Sequence, residues 1–136
     1  MSWQSEMQWA FSVNLSQLPA LAGGVVPLNE GPRVAADAAA RLWRLEIPYR
    51  FMGDAHSISD FRRCRSRGFG ACADAVAWVC AAGRLAGARE LAACYELSTL
   101  DPDYAHVSAL VDGFRIDPLP EYAYLARSCS GTVVFR

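Results

Sequence analysis

Apolar and polar positions alternate along this chain in patterns that predict helices before residue 90 and strands after it. Val34, Ala38, Leu42 and Leu45 recur at helical spacing, with Arg41 and Arg44 elsewhere on the surface, and Pro32 suits the first turn, so an amphipathic helix is expected over residues 34–45. Residues 71–82 are apolar on every side and contain no breaker before Gly83, which predicts a buried helix capped at Gly83 or Gly87, with Trp78 and Cys80 in the core. Leu91 to Leu97 reads as a strand, Asp101-Pro102-Asp103 as a turn and Tyr104 to Val111 as a second strand. Asp112-Gly113 is the strongest short hairpin signal in the chain, and Phe114 to Asp117 is the returning strand, stopped by Pro118 and Pro120. Residues 122–127 and 132–135 either add strands or pack as a tail.

Between these elements the pattern is less regular. Residues 1–30 are low in charge, carry Trp3, Trp9 and Phe11, and are interrupted by Pro19, Gly23, Gly24 and Pro27. They read as an N-terminal arm lying on its own domain or on a partner, ahead of a single domain over residues 31–136. Ile47 to Phe51 is extended, as Pro48 demands of its neighbour, and residues 53–60 are polar and loop-like. Phe61 to Arg67 is a basic run: a solvated surface, an anchor for an acidic substrate group, or added stabilisation of a nearby thiolate.

Composition narrows the class. The chain has 136 residues, 53% of them hydrophobic, which suits one folded domain with one core. A net charge of −1 gives no field that would favour nucleic acid. No apolar run approaches the roughly 20 residues of a membrane span, and the N-terminus lacks the positive region of a signal peptide. All basic residues are Arg, which we take as coding bias. The five cysteines show no CxxC spacing, so neither a disulfide framework nor a zinc site is expected, and the default is a soluble, cytoplasmic protein with reduced thiols. Cys80 and Cys94 are expected in the core, and Cys64 and Cys129 show no partner logic.

The candidate chemistry begins at Gly68-Phe69-Gly70-Ala71-Cys72. Glycines lead into a thiol in the first turn of a helix, where free backbone N–H groups and the helix dipole favour negative charge. Asp74, an acid in the same turn, is expected to be structural, and His56 to be solvated in its polar loop. A two-residue turn at Asp112-Gly113 pairs Val111 with Phe114 and hence Ser108 with Asp117. Period-two alternation then puts His106 on the same face, diagonal to Asp117 at roughly 7–8 Å or less between Cβ atoms. Cys72 as nucleophile, His106 as base and acid, and Asp117 orienting the imidazole form a set suited to acyl transfer, with the Cys72 backbone N–H as oxyanion donor.

Gly70-Ala71-Cys72-Ala73-Asp74, then Ala105-His106-Val107, then Ile116-Asp117-Pro118, in this order, resemble the transglutaminase-like superfamily, a branch of the papain-like cysteine enzymes. The resemblance covers roughly residues 47–118. It implies an α+β fold with the cysteine-bearing helix packed on a small antiparallel sheet, and acyl transfer through a thioester without metal or organic cofactor. It implies a peptide or protein amide substrate, cell-wall peptide among them. Two further readings stand beside it. One is a structural or assembly protein on the same fold, such as a bacteriophage virion component, whose N-terminal arm contacts assembly partners. The other is a thiol redox or binding module, which the lack of CxxC disfavours.

Overall fold

The computed structural model describes residues 2–50, 57–97, 105–122 and 129–136. Helix α1 (Trp3–Ala22) is followed by α2 (Pro32–Glu46), α3 (Phe61–Arg67) and α4 (Cys72–Leu85). Strands β1 (Leu91–Leu97), β2 (Ala105–Val111), β3 (Phe114–Ile116) and β4 (Gly131–Val134) form one antiparallel sheet in the order β3-β2-β1-β4. The fold class is therefore α+β.

Helix α4 is the centre of the molecule. Every residue from Ala75 to Gly83 is buried, as an all-apolar helix requires. It packs on α1, α2, β1 and β2. Near its C-terminal end, Gly83 lies against Leu91 of β1 and Val111 of β2. Of the two expected caps it is Gly87 that ends the helix. Gly87 takes φ +102°, its N–H donates to the Arg84 carbonyl, and the Ala88 N–H donates to the Gly83 carbonyl, so two end carbonyls are satisfied. Trp78 and Cys80 are fully buried, and the Trp78 indole N–H donates to the Ala39 carbonyl at 3.1 Å.

Two helices differ from the pattern reading. Residues expected as a broken arm form α1, a 20-residue helix that contains Pro19 and buries Met7, Ala10, Phe11, Asn14 and Leu18. Ser2 caps it, and its partners are α4 and the chain's C-terminus: Phe11 meets Phe135 with ring centroids 4.7 Å apart. The segment thus packs on its own domain. In α2 the helix is where expected, and of the expected apolar positions Ala38 is buried and Leu42 packs against the core, but Ala35, Ala36, Ala39, Ala40 and Trp43 are buried as well, while Val34 and Leu45 (85% exposed) face outward. Small alanines let α2 approach α4 closely, and Trp43 supplies the bulk that the outward leucine does not.

The basic run is helix α3. Asp60 caps it through the Arg63 N–H, Gly68 (φ +88°) ends it, and Phe61 and Cys64 point inward. The Asn14 side-chain carbonyl accepts from the Phe61 N–H at 2.9 Å, joining α3 to α1. Phe61 stacks on Trp78 at 4.1 Å and meets Trp43 edge-on at 6.0 Å, an aromatic column directly beneath the segment that leads to Cys72.

Strand β1 lies where expected, the hairpin turns where expected although β3 ends at Ile116 rather than Asp117, and of the two readings of residues 132–135 a strand is found, β4, over Gly131–Val134. Asp112 (φ 48°) and Gly113 (φ 85°) form the two-residue turn, and the register is Val111↔Phe114, Leu110↔Arg115 and Ala109↔Ile116. The turn at Asp101-Pro102-Asp103, the expected strand start at Tyr104, His56 and most of residues 122–127 lie outside the described residues.

Candidate active site

Cys72 is the first residue of α4, so its N–H has no acceptor within the helix. What fixes it is the segment before it. The Gly70 N–H donates to the Pro48 carbonyl and the Arg50 N–H to the Gly70 carbonyl, both at 3.0 Å, forming a short parallel bridge between Tyr49 and Gly70. A Cβ at position 70 would stand 2.6 Å from Trp43 Cζ2, so only glycine lets the backbone pass this close to the indole. One turn further on, Asp74 is fully buried and acts on the helix start, as expected of a structural acid. Its Oδ2 accepts from the Ala71 N–H at 2.8 Å, its Oδ1 accepts from the Ser59 N–H at 2.7 Å, and Arg67 Nη2 lies 3.3 Å from Oδ2. The thiol of Cys72 is thus held at a rigid helix entrance, with the residue 8% exposed.

The second half of the site comes from the hairpin. His106 Nε2 and Asp117 Oδ2 are 2.7 Å apart. The other oxygen of Asp117 accepts from the Leu119 N–H at 3.0 Å, which sets the carboxylate's direction. His106 is fully buried, and Asp117 is 16% exposed. With Nε2 engaged, the free ring nitrogen is Nδ1, which is buried and has no hydrogen-bond partner among the described residues. The Cys72 thiol lies beside this imidazole and acts on it. Burial alone would lower the His106 pKa, but the hydrogen bond to Asp117, the charge of that carboxylate and the neighbouring Cys72 sulfur outweigh it and raise the pKa to about 9. The arrangement therefore favours an imidazolium flanked by a carboxylate on one side and a sulfur on the other.

The structure brings together the three residues singled out from the sequence, Cys72, His106 and Asp117, from a helix start, a strand and a strand end. Sequence reasoning missed the charged pair next to them. Glu96 on β1 is the direct cross-strand partner of His106, is 1% exposed, and pairs with Arg115 on β3. Arg115 Nε also donates to Ser108 Oγ at 3.0 Å. The alternation of the strands held the signal, because His106, Ser108 and Arg115 fall on one face once the hairpin register is set. Glu96 joins them only when the β1–β2 register is known.

The expectation about sulfur changes, and the basic run divides between its readings. Cys94, expected as an unpartnered core thiol, forms a disulfide with Cys129. The physical reason is topological: β4 returns to pair with the outer edge of β1, bringing residue 129 within 5.6 Å of residue 94 between Cα atoms. Cys64, Cys72 and Cys80 are free, and burial pushes the Cys64 and Cys80 thiols well above the usual range. In the basic run, Arg67 is committed to Asp74 and to the Phe69 carbonyl, and Arg65 lies over the Phe61 ring. Arg62 and Arg63 are solvent-exposed beside Trp9, so this part of the run is a solvated surface.

Comparison of the chain with protein-family models, curated proteins and solved structures finds no match. Among the described residues, no helix is long and apolar enough to cross a membrane, and no cluster of three or more His, Cys, Asp or Glu is placed to hold a metal ion.

Proposed function

We propose that this protein is a small cysteine acyl-transfer enzyme, transglutaminase-like in its site, that acts on an amide or peptide bond through a thioester on Cys72. The observation that carries the reading is the His106–Asp117 contact of 2.7 Å, with the Cys72 sulfur near enough to help raise the imidazole's pKa. In this reaction the Cys72 thiolate attacks the carbonyl carbon, a C–S bond forms, and the carbonyl π electrons move to oxygen. The Cys72 N–H, free of any helical acceptor, donates to that oxyanion. Collapse of the tetrahedral intermediate breaks the C–N bond, and the departing amine takes the proton held on His106. Water or a second amine then attacks the thioester. His106 removes the attacker's proton, and Cys72 leaves as thiolate to pair again with the imidazolium. Asp117 keeps the ring oriented through Nε2 and stabilises its charge throughout.

The test is direct trapping. The protein is mixed with peptide thioesters or activated peptide esters, and a thioester adduct on Cys72 is sought by mass spectrometry. The reading expects an adduct that is absent in Cys72→Ala and forms far more slowly in His106→Ala. Acylation spread over Cys64 and Cys80, or unchanged in His106→Ala, would contradict it.

A second reading, an assembly component on this α+β scaffold, is favoured by the outward Trp9, Leu45 and Phe114 side chains and by the near-burial of Cys72. It expects Cys72→Ala and His106→Ala to leave function intact, and substitution of Trp9 or Leu45 to abolish assembly.

A further inference from the structure

The mechanism leaves unused a carboxylate that is almost wholly out of water. Glu96 sits opposite His106 across the β1–β2 ladder, and cross-strand partners project to the same side of the sheet. A buried carboxylate requires a cation, and here the cation comes from two strands away, Arg115 of β3. The Arg115 guanidinium passes over β2, where its Nε is held by Ser108 Oγ. One ion pair thus ties β1, β2 and β3 together on the side of the sheet that carries His106.

Strand β3 has reason to need such a tie. It lies at the sheet edge and is three residues long, with only three cross-strand pairings to β2. Asp117 follows its last residue, at the end farthest from the Asp112–Gly113 turn, where an edge strand would fray first. Arg115 is two residues before Asp117, and it also lines the shallow cleft that Asp117 shares with Asp37, Arg41 and Arg44. The ionisable groups set around His106 are Cys72 from α4, Asp117 from the end of β3, Glu96 from β1 and, through Glu96, Arg115.

We propose that Glu96 and Arg115 are positioning residues: their ion pair straps β3 across β2 to β1 and so holds Asp117 in register with His106. The proposal rests on the acyl-transfer reading of Cys72, His106 and Asp117.

The test is an NMR titration of the His106 imidazole together with the single-turnover acylation rate of Cys72, in wild type, Asp117→Asn, Glu96→Gln and Arg115→Lys. The strap predicts that Glu96→Gln lowers the His106 titration midpoint by about one unit, in the direction of Asp117→Asn, and slows acylation by about tenfold to a hundredfold, the scale expected when a catalytic group is misplaced. Arg115→Lys, which keeps the cation, retains the wild-type midpoint. A folded Glu96→Gln protein with unchanged midpoint and rate overturns the proposal. Should Glu96→Gln not fold, the double variant Glu96→Leu/Arg115→Leu replaces the ion pair with packed apolar groups and carries the same two readouts: a lowered midpoint supports the strap, and an unchanged one overturns it. Failure of the underlying reading looks different. There, His106 titrates as an ordinary imidazole in wild type and Asp117→Asn does not move it.

Discussion

The two halves of the site are held in place by different means. Cys72 is positioned by the core. A buried acid caps its helix, Gly70 is wedged against Trp43, and the aromatic column of Trp43, Phe61 and Trp78 lies beneath. His106 and Asp117 are positioned by register. A two-residue turn sets which residues oppose each other, and a three-residue edge strand carries the result to Asp117. The proposed nucleophile therefore depends on packing, which fails cooperatively with the fold. The His106–Asp117 pair depends on local pairing, which can loosen while the fold stands. Substitutions in the first half should cost stability, and those in the second should cost chemistry first.

The sharpest separation is His106→Ala, which should lower Cys72 acylation by about 10²–10⁴-fold, the usual contribution of a positioned acid–base group, while circular dichroism stays native. An equal loss of fold and rate would erase the contrast. Asp74→Ala lies at the opposite pole. It removes the carboxylate partner of Arg67 and leaves the Ala71 and Ser59 N–H groups without their acceptor, so a loss of about 2–4 kcal/mol is expected in urea denaturation.

The pH dependence of stability tests the hairpin half. The His106 pKa is raised from its ordinary 6.5 to about 9 in the fold. The folded state therefore binds this proton more tightly than the unfolded chain does. The stabilisation is fully present below pH 6.5 and is lost as pH rises through about 9. The shift corresponds to at most about 3 kcal/mol. Denaturation midpoints should fall between pH 6.5 and 9 in wild type, and that fall should be flattened in His106→Ala.

The smallest effects come from the glycines. Gly70→Ala drives a methyl into the Trp43 ring and should cost about 1–3 kcal/mol together with a slower acylation of Cys72. Gly113→Ala meets no neighbour within 4 Å and suffers only from its φ of +85°, about 1 kcal/mol by denaturation midpoint.

The sequence made the hairpin half more legible than its surroundings. Asp112-Gly113 admits essentially one turn geometry, so the pairing of Val111 with Phe114 and the diagonal from His106 to Asp117 followed from counting. The all-apolar run after Cys72 likewise left little choice but a buried helix. Helix α1 was obscured because Pro19 sits inside it and its residues carry almost no charge pattern to mark a face. Helix α3 was obscured by its arginines, which hid Phe61 and Cys64 at i and i+3. The Glu96–Arg115 pair and the Cys94–Cys129 disulfide were unreadable for one shared reason. Both require the pairing of β1: the Asp101-Pro102-Asp103 turn signal suggested that β2 follows β1 but not the register that sets Glu96 opposite His106, and nothing local marks β4 as the partner on the other edge.

The proposed acyl transfer requires a reactive thiol–imidazole pair between Cys72 and His106. The most direct measurement is the pH dependence of iodoacetamide alkylation at Cys72, located by peptide mass spectrometry, in wild type and His106→Ala, with buried Cys64 and Cys80 as internal references. With such a pair, Cys72 reacts far faster than both references well below the free-thiol pKa of about 8.5 and loses this advantage without His106. A Cys72 that is inert, or that behaves as an ordinary thiol in both proteins, would contradict it.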